Sequence, residues 1–431
     1  TSGSTWKAFE AETGRWVYSI TNVPSGTMIR GEKGELYVLQ VNLQNGWMAL
    51  WNSSAIVSME GSWNPHGNTY NAAATSPTSA RTAAERAWSW NVTIPTGLPG
   101  SVKTVLSDRI IGADVVTRTA ENLISERMNK PIPLWSISLK PGEEGRLLFN
   151  TNWTPPQTDL FIGWGDAGVE EGIFTLWAKE TRQSFAFNIN TGKYLWQTES
   201  QPYLDTFGIR VSVRLGMLFT TGFAGEVFAY DSTNGNLVWQ YNVTDPYNQI
   251  KEGLSNYPVL FDFFTCDGKV YLVQMEHSPT TPLARNAPYI CLNATTGEML
   301  WKIDGLRGVR WGGPNVVGDG IIAFFNSYDN RIYAIGKGPS ATTVTAPDIA
   351  QPLGSSIMIR GTVTDISPGI RDYDLEARFP NGVAAVSEES VSEWMKYVYM
   401  QLPKPTDVVG VPVTIAVIDA NNNYREIGTT T

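Results

Sequence analysis

The side chains with which this chain could do chemistry are few and scattered. Its only histidines, His66 and His277, lie in polar loop segments without ligand-spaced neighbours, so no metal site or catalytic base gathers around them. The only cysteines, Cys266 and Cys291, stand 25 positions apart, a pattern that fits neither a zinc cluster nor a disulfide scaffold. Oxygen ligands come in two acidic groups: Asp166, Glu170 and Glu171 in GWGDAGVEEG, and Asp365, Asp372 and Asp374 further on. Each could hold calcium or be a plain acidic loop. A third set suits recognition rather than reaction. Tyr203, Phe207, Tyr247, Tyr257, Arg310 and Trp311 fall in three loop segments, and aromatics and arginine are enriched at binding hot spots. The alternative for these six is that they seal neighbouring structural units against each other. Five N-x-S/T triplets begin at Asn52, Asn91, Asn152, Asn242 and Asn293, and in a secreted protein these would be glycan acceptors.

The frame that must position these residues is a chain of 431 residues, too long for one ordinary core. Lys and Arg total 32 against 41 Asp and Glu, and no basic block could neutralise a phosphate backbone, which argues against nucleic acid as a partner. Forty glycines, 11% aromatic residues and only 17% charged residues suit short strands and tight turns, an all-β composition. The longest apolar stretches, such as 411–418, fall far short of the roughly eighteen residues that cross a bilayer, so no membrane-spanning segment is expected. The chain opens without Met or a signal-like apolar region and reads as either processed or a fragment of a longer protein, the fragment being the favoured reading.

One unit recurs four times: FEAETGRWVY at 9–18, FNINTGKYLW at 187–196, YDSTNGNLVW at 230–239 and LNATTGEMLW at 292–301. In each, Glu10, Asn188, Asp231 or Asn293 lies four residues before Gly14, Gly192, Gly235 or Gly297, and Tyr18, Trp196, Trp239 or Trp301 lies four after. The pattern predicts a β-hairpin in which Asp or Asn caps the turn amides, glycine takes a positive φ, and the Trp packs on the neighbouring sheet. A further alternating strand precedes the hairpins at 34–41, 216–222 and 268–275, and another lies at 320–327, so each unit holds about four strands. The 43 residues from Gly192 to Gly235 are the length of one four-stranded propeller blade.

The segments 101–116 and 134–153 read as strands around worn turns, that is, as degenerate blades. NLQNG at 42–46 imitates the turn but places its Trp differently, and is expected to be an ordinary hairpin. Residues 61–85 and 117–130 read as polar insertions decorating blade edges, the second as a candidate short helix. The count is a half blade at the N-terminus, five blades between about 26 and 305, and a three-stranded remnant ending near 338. The expected fold is therefore a β-propeller of about seven four-stranded blades over 1–338, with eight allowed in a longer parent protein.

From 339 to 431 the pattern changes to strand pairs resembling part of an immunoglobulin-like β-sandwich, with too few strands to complete one. Within it, 387–401 predicts a helix with Ser387 or Ser390 as cap and Val391, Trp394, Met395 and Val398 on one face, packed on the sheet or propeller or left for a partner.

The four hairpins resemble the repeat of pyrroloquinoline quinone-type propellers, a superfamily that includes quinoprotein dehydrogenases and the bacterial outer-membrane assembly lipoprotein. With the segment that follows, the chain looks most like large archaeal secreted or surface propellers running into immunoglobulin-like modules. Enzymes of the superfamily hold a quinone with calcium, a catalytic Asp and commonly a disulfide between adjacent cysteines; none of these maps onto this sequence. Cys266 and Cys291 fall on the first and third strands of one blade and are expected to be free, buried thiols. No cofactor is expected, calcium being the one candidate. The reading is a non-catalytic extracellular or cell-surface scaffold or adhesion protein that binds protein or glycan through propeller loops. Its partners would be other surface proteins, glycans or copies of itself. The alternatives are a diverged quinone-dependent dehydrogenase and a subunit of a surface filament or layer assembled by strand exchange.

Overall fold

The computed structural model describes residues 4–31, 33–59, 62–63, 67–73, 85, 87–115, 131–157, 160–201, 210–248, 255–259, 263–274, 285–308, 315–318, 320–336, 338–371 and 373–431. Its sheets follow one another along the chain, most of them built from consecutive strands, the succession of an all-β propeller followed by smaller β-sheets. Five sheets have four strands and are here called blades I to V. Blade I comprises Thr27–Arg30, Leu36–Asn42, Trp47–Asn52 and Trp88–Thr93; blade II comprises Ser101–Val105, Arg109–Ala113, Ile132–Ser138 and Leu147–Trp153. Blade III runs from Ile162–Gly168 to Tyr194–Gln197, blade IV from Arg210–Arg214 to Leu237–Asn242, and blade V from Phe263–Cys266 to Met299–Asp304.

Before blade I stands the hairpin Ser4–Phe9 and Trp16–Val23, and after blade V a three-stranded sheet ends with Arg331–Gly336. Half blade, five blades and three-stranded remnant are the organisation expected from the repeats. The 61–85 insertion does decorate an edge: Asn68–Asn71 adds to Trp16–Val23 as a parallel strand, with Tyr18 opposite Asn68 and Thr21 opposite Asn71. The expected helix at 117–130 lies outside the described residues.

The chain divides into two compact units, Thr1–Leu218 with Tyr230–Asn236, and Phe219–Ala229 with Leu237–Thr431. Within the first unit, apolar cores fill the spaces between successive sheets. One holds Ile20, Val38 and Trp51, a second Leu39, Met48, Ile110 and Trp135, and a third Ile111, Leu134, Phe174 and Phe187. In the second unit Val273, Tyr289, Ile322 and Phe324 do the same between blade V and the three-stranded sheet.

The repeat motif is what locks these sheets together. Asn188 Oδ1 accepts the N–H groups of Asn190 and Thr191 at 2.9 and 3.1 Å, and Gly192 donates its N–H to the Asn188 carbonyl at 2.8 Å. Asn293 caps Thr295 and Thr296 in the same way. The residue after the cap then links two sheets. Ser232 donates its N–H to the Gly216 carbonyl of its own blade and accepts the indole N–H of Trp196 at 3.2 Å. Ala294 donates to the Gly268 carbonyl and accepts from Trp239 at 2.9 Å.

Each indole ring lies against the glycine of the hairpin it bonds. Gly235 and Gly297 hold φ at +77° and +73°, and a Cβ on Gly297 would sit 2.6 Å from the Trp239 ring. Glycine is therefore required twice over, for its backbone conformation and for the closeness of the ring.

Blade II shows how a worn repeat keeps its joint. Its fourth strand places Phe149, four residues after Gly145, against Gly192, whose Cβ would sit 2.6 Å from the Phe149 ring. Phenylalanine has no N–H to give, and the carbonyl after the cap, that of Ile189, is taken instead by buried Arg109 at 2.7 Å. Asp108 holds that guanidinium from the other side at 2.7 Å, and the ion pair draws the Asp108 carboxyl below the usual carboxylate range. NLQNG makes the expected ordinary hairpin, joining the second and third strands of blade I, with Asn42 accepting the Asn45 N–H at 2.9 Å.

In the C-terminal segment, Ser340–Thr345, Arg360–Asp365 and Val383–Ala384 form one sheet, and Val413–Ile418 pairs with Tyr424–Thr430 in another. Among the described residues this segment holds two α-helices rather than the single one expected, Tyr373–Arg378 before Val383–Ala384 and Val391–Met400 after it. The longer helix buries Trp394 and Val398 with Leu375 and Val383, and also lies against Met299–Asp304 of blade V. Its apolar face is thus spent on packing. Ser390 stands at the N-cap position but does not cap; its hydroxyl accepts the N–H of Val409 at 2.9 Å and ties down the chain leaving the helix.

Two predictions follow from the joints. Trp239→Ala should lower unfolding free energy by about 3–5 kcal/mol, and Gly297→Ala combined with it should cost less than the two losses added, since both break one contact. Arg109→Met should destabilise by about 1–3 kcal/mol by orphaning a buried carbonyl, with Phe149→Trp restoring part of the loss. Urea unfolding of the full chain reads both.

Candidate functional site

The loop leaving blade IV carries the best-defined cluster of polar and aromatic groups outside the cores. Asp245-Pro246 opens a turn: Asp245 Oδ1 accepts the Tyr247 N–H at 2.9 Å, and Asn248 takes a positive φ of 51°. A bridge between Thr244 and Asn256 closes the loop. Tyr257 follows and is only 1% exposed, with its N–H on the Val243 carbonyl and its hydroxyl donating to the Arg285 carbonyl at 2.7 Å. Burial, reinforced by the Asp245 charge, pushes its phenol far above the ordinary tyrosine range, so it serves as a fixed donor.

Tyr257 is therefore a strut inside the loop and not part of a binding surface, which corrects the expectation for that residue. Its burial agrees with the alternative for this residue, a side chain that seals structure. Tyr247 is the opposite case: it is 53% exposed, and its hydroxyl accepts the Asn286 amide at 3.3 Å. Nearby, the Tyr328 hydroxyl accepts the Ala287 N–H at 3.1 Å. Tyr247, Asn286 and Tyr328 thus lie along one loop cluster, although 39 and 81 positions separate the latter two from Tyr247. The Asp-Pro turn signal was readable in the sequence, whereas the contributions of Asn286 and Tyr328 had no local signal.

Of the other candidates for a binding surface, Tyr203, Phe207, Arg310 and Trp311 lie outside the described residues, as do His66 and His277. Two of the three carboxylates of the first acidic group, Asp166 and Glu171, are spent on structure. Asp166 accepts the Val213 N–H at 3.0 Å and pairs with Arg214 at 3.5 Å, while Glu171 accepts the Gly216 N–H at 3.2 Å. Asp365 accepts the N–H of Ser367 at 2.7 Å, and Asp372 lies outside the described residues. Among the described residues no three His, Cys, Asp or Glu side chains gather as a metal site would require.

The cysteines occupy the first and third strands of blade V, as expected, with Lys269–Val273 between them. Both are free, but Cys266 is exposed where a buried thiol was anticipated, because the strand end that carries it turns to solvent. Cys291 is buried opposite Tyr271, and burial pushes its thiol up to about 12. The glycan triplets also divide. Asn91, Asn152 and Asn242 are exposed on the outer, fourth strands of blades I, II and IV. Asn52 and Asn293 are half-buried, with Asn52 accepting the Ser54 N–H and Asn293 capping its repeat turn.

Against models of known families, residues 165–335 match the one described as outer membrane protein assembly factor BamB. That range starts inside the first strand of blade III and ends on the strand Arg331–Gly336, and it contains both indole joints, Trp196 with Ser232 and Trp239 with Ala294. Residues 165–335 are thus similar to the PQQ-like repeat β-propeller family.

BamB from Moraxella catarrhalis is 15% identical over 56% of this chain and 62% of its own, with a TM-score of 0.29. The computationally designed Ika4 protein is 12% identical over 44% of this chain and 98% of its own, at 0.30. Quinohemoprotein alcohol dehydrogenase ADHIIG from Pseudomonas putida HK5 is 12% identical over 78% of this chain and 62% of its own, at 0.38. No curated protein matches. The chain spans about 62% of the length of that BamB. No helix among the described residues of this chain is long and apolar enough to cross a membrane.

In this PQQ-like fold the two thiols should behave oppositely. At pH 8 an alkylating reagent should label Cys266 quickly and Cys291 only after unfolding, as read by mass. The raised Cys291 pKa adds a term to stability that is fully present below about 9, the unfolded value, and lost as pH rises towards about 12. A Cys291→Ala variant should show a shallower fall in stability over that window.

Proposed function

We propose that this chain is a non-catalytic scaffold of the cell surface or extracellular space that binds protein or glycan through its propeller loops. The observation that carries the reading is how the repeat side chains are used: capping Asn and Asp, glycine and Trp are all consumed in joints between sheets. Asp166 and Glu171 of blade III are consumed in the same way. What remains outward is loop surface such as Tyr247 with Asn286, suited to contact rather than bond making. The family match to an assembly factor supports a scaffold role in general. The C-terminal segment is, on this reading, part of an immunoglobulin-like module.

One observation favours the strand-exchange alternative as a second reading. Val344, Ile418, Tyr424 and Ile427 of the two C-terminal sheets are all exposed, as the strands of an uncompleted sandwich would be.

The test places a photo-crosslinking residue at Tyr247 and, as a control, at exposed Leu195 on an outer strand. Incubation with surface material of the source cell should give discrete adducts from Tyr247 alone. Quinone- and calcium-dependent dye reduction by the full chain would sink the scaffold reading, and adducts joining two copies through a third crosslinking residue at exposed Ile418 would favour strand exchange.

A further inference from the structure

Three Asn-Gly pairs occur in the chain, Asn45-Gly46, Asn234-Gly235 and Asn381-Gly382. Asparagine is thermolabile, most of all before glycine, where no Cβ shields the next main-chain nitrogen from the side-chain amide. The fold treats the three pairs differently. Gly46 is buried, with its N–H on the Asn42 carbonyl and its carbonyl accepting the Ile94 N–H, both at 2.9 Å. Gly235 is buried against the Trp196 ring, and the Asn234 amide is held at both ends: Oδ1 accepts the Asn236 N–H at 2.8 Å and Nδ2 donates to Asp231 at 3.2 Å. At the third pair both residues are exposed, and the Asn381 side chain makes no hydrogen bond among the described residues. One bond, from the Gly382 N–H to the Phe379 carbonyl at 2.9 Å, is all that has to open there.

This exposed pair joins the helix Tyr373–Arg378 to the short strand Val383–Ala384. Val383 is buried with Leu375, Trp394 and Val398, and the Ala384 carbonyl accepts the Trp394 indole N–H at 3.0 Å. A change of backbone length at residue 381 therefore acts directly on the strand that holds the longer helix. We infer that Asn381 is a site of spontaneous deamidation, and that the isoaspartate formed there loosens the Trp394 contact.

In the first step the Gly382 nitrogen gives its proton to base and forms a bond to Asn381 Cγ. The bond from Cγ to the side-chain nitrogen breaks, and that nitrogen takes its electron pair and a proton and leaves as ammonia. Water then opens the five-membered imide. Addition at the main-chain carbonyl leaves isoaspartate, with one extra carbon in the backbone, and addition at Cγ leaves aspartate. Only water is consumed, and no oxidant or reductant is needed.

The full chain is aged in mildly alkaline buffer, native and in guanidinium, and the three Asn-Gly peptides are followed by mass spectrometry with isoaspartate methyltransferase as the marker. Because two side-chain hydrogen bonds must break at Asn234, Asn381 in the native chain should convert about tenfold faster or more. Asn45, with its attacking nitrogen buried, should lag likewise, and in guanidinium the three rates should converge. In the aged native chain the Trp394 indole N–H should exchange with solvent several-fold faster than before ageing. Asn381→Gln aged in parallel should keep its protection, as should fresh Asn381→Asp, which carries the charge without the extra backbone carbon.

Native conversion at Asn45 or Asn234 as fast as at Asn381, or none at Asn381, would overturn the site. Isoaspartate at Asn381 with Trp394 exchange unchanged would overturn the loosening. Fast exchange in fresh Asn381→Asp would overturn the extra backbone carbon as its cause.

Discussion

A single residue in each Asn- or Asp-capped repeat hairpin, the one after the cap, carries the propeller. Its N–H closes onto the first turn of its own blade, and its carbonyl receives a donor from the preceding sheet. At Ser232 and Ala294 that donor is an indole, and at Ile189 it is Arg109. A buried carbonyl left without a donor costs about 1–3 kcal/mol, so each joint is both adhesive and selective for register. The cap exists to present that peptide, the glycine to let the ring approach, and the ring to exclude water from the bond.

This division of labour explains why so little chemistry is left over. Carboxylates that could have held a cation, Asp166 and Glu171, are drawn into fixing the first hairpin of the next blade. Tyr257 is drawn inward to brace a loop, and Cys291 is sunk in a sheet where its thiol stays protonated. The groups that face outward are those the joints did not use: Tyr247 at the loop cluster, the apolar residues of the C-terminal sheets, and the asparagines of the outer strands.

Where the repeat wears out, the structure shows which part of it is physical necessity. Blade II retains neither the capping residue nor the Trp, yet keeps Gly145 with its positive φ, an aromatic four residues later, and a donor for the same carbonyl. The N-terminal hairpin keeps the opposite half. Glu10 accepts the Thr13 hydroxyl, its side chain being too long for the turn amides, and a Cβ on Gly14 would meet nothing within 4 Å.

The sequence by itself determined the all-β class, the blade count, the strand positions and the capped hairpins, because each depends on residues within ten positions of one another. Asn188, Gly192 and Trp196 specify their turn wherever the chain goes. Tertiary structure alone decided which side chains meet across sheets: Arg109 replacing an indole 80 positions from its acceptor, Tyr328 and Asn286 arriving beside Tyr247, Ser390 tying Val409 instead of capping its helix. It also decided burial within polar segments, turning Tyr257 inward and Cys266 outward. These outcomes depend on packing between blades, and no local pattern encodes which carbonyl will lie bare when two sheets come together.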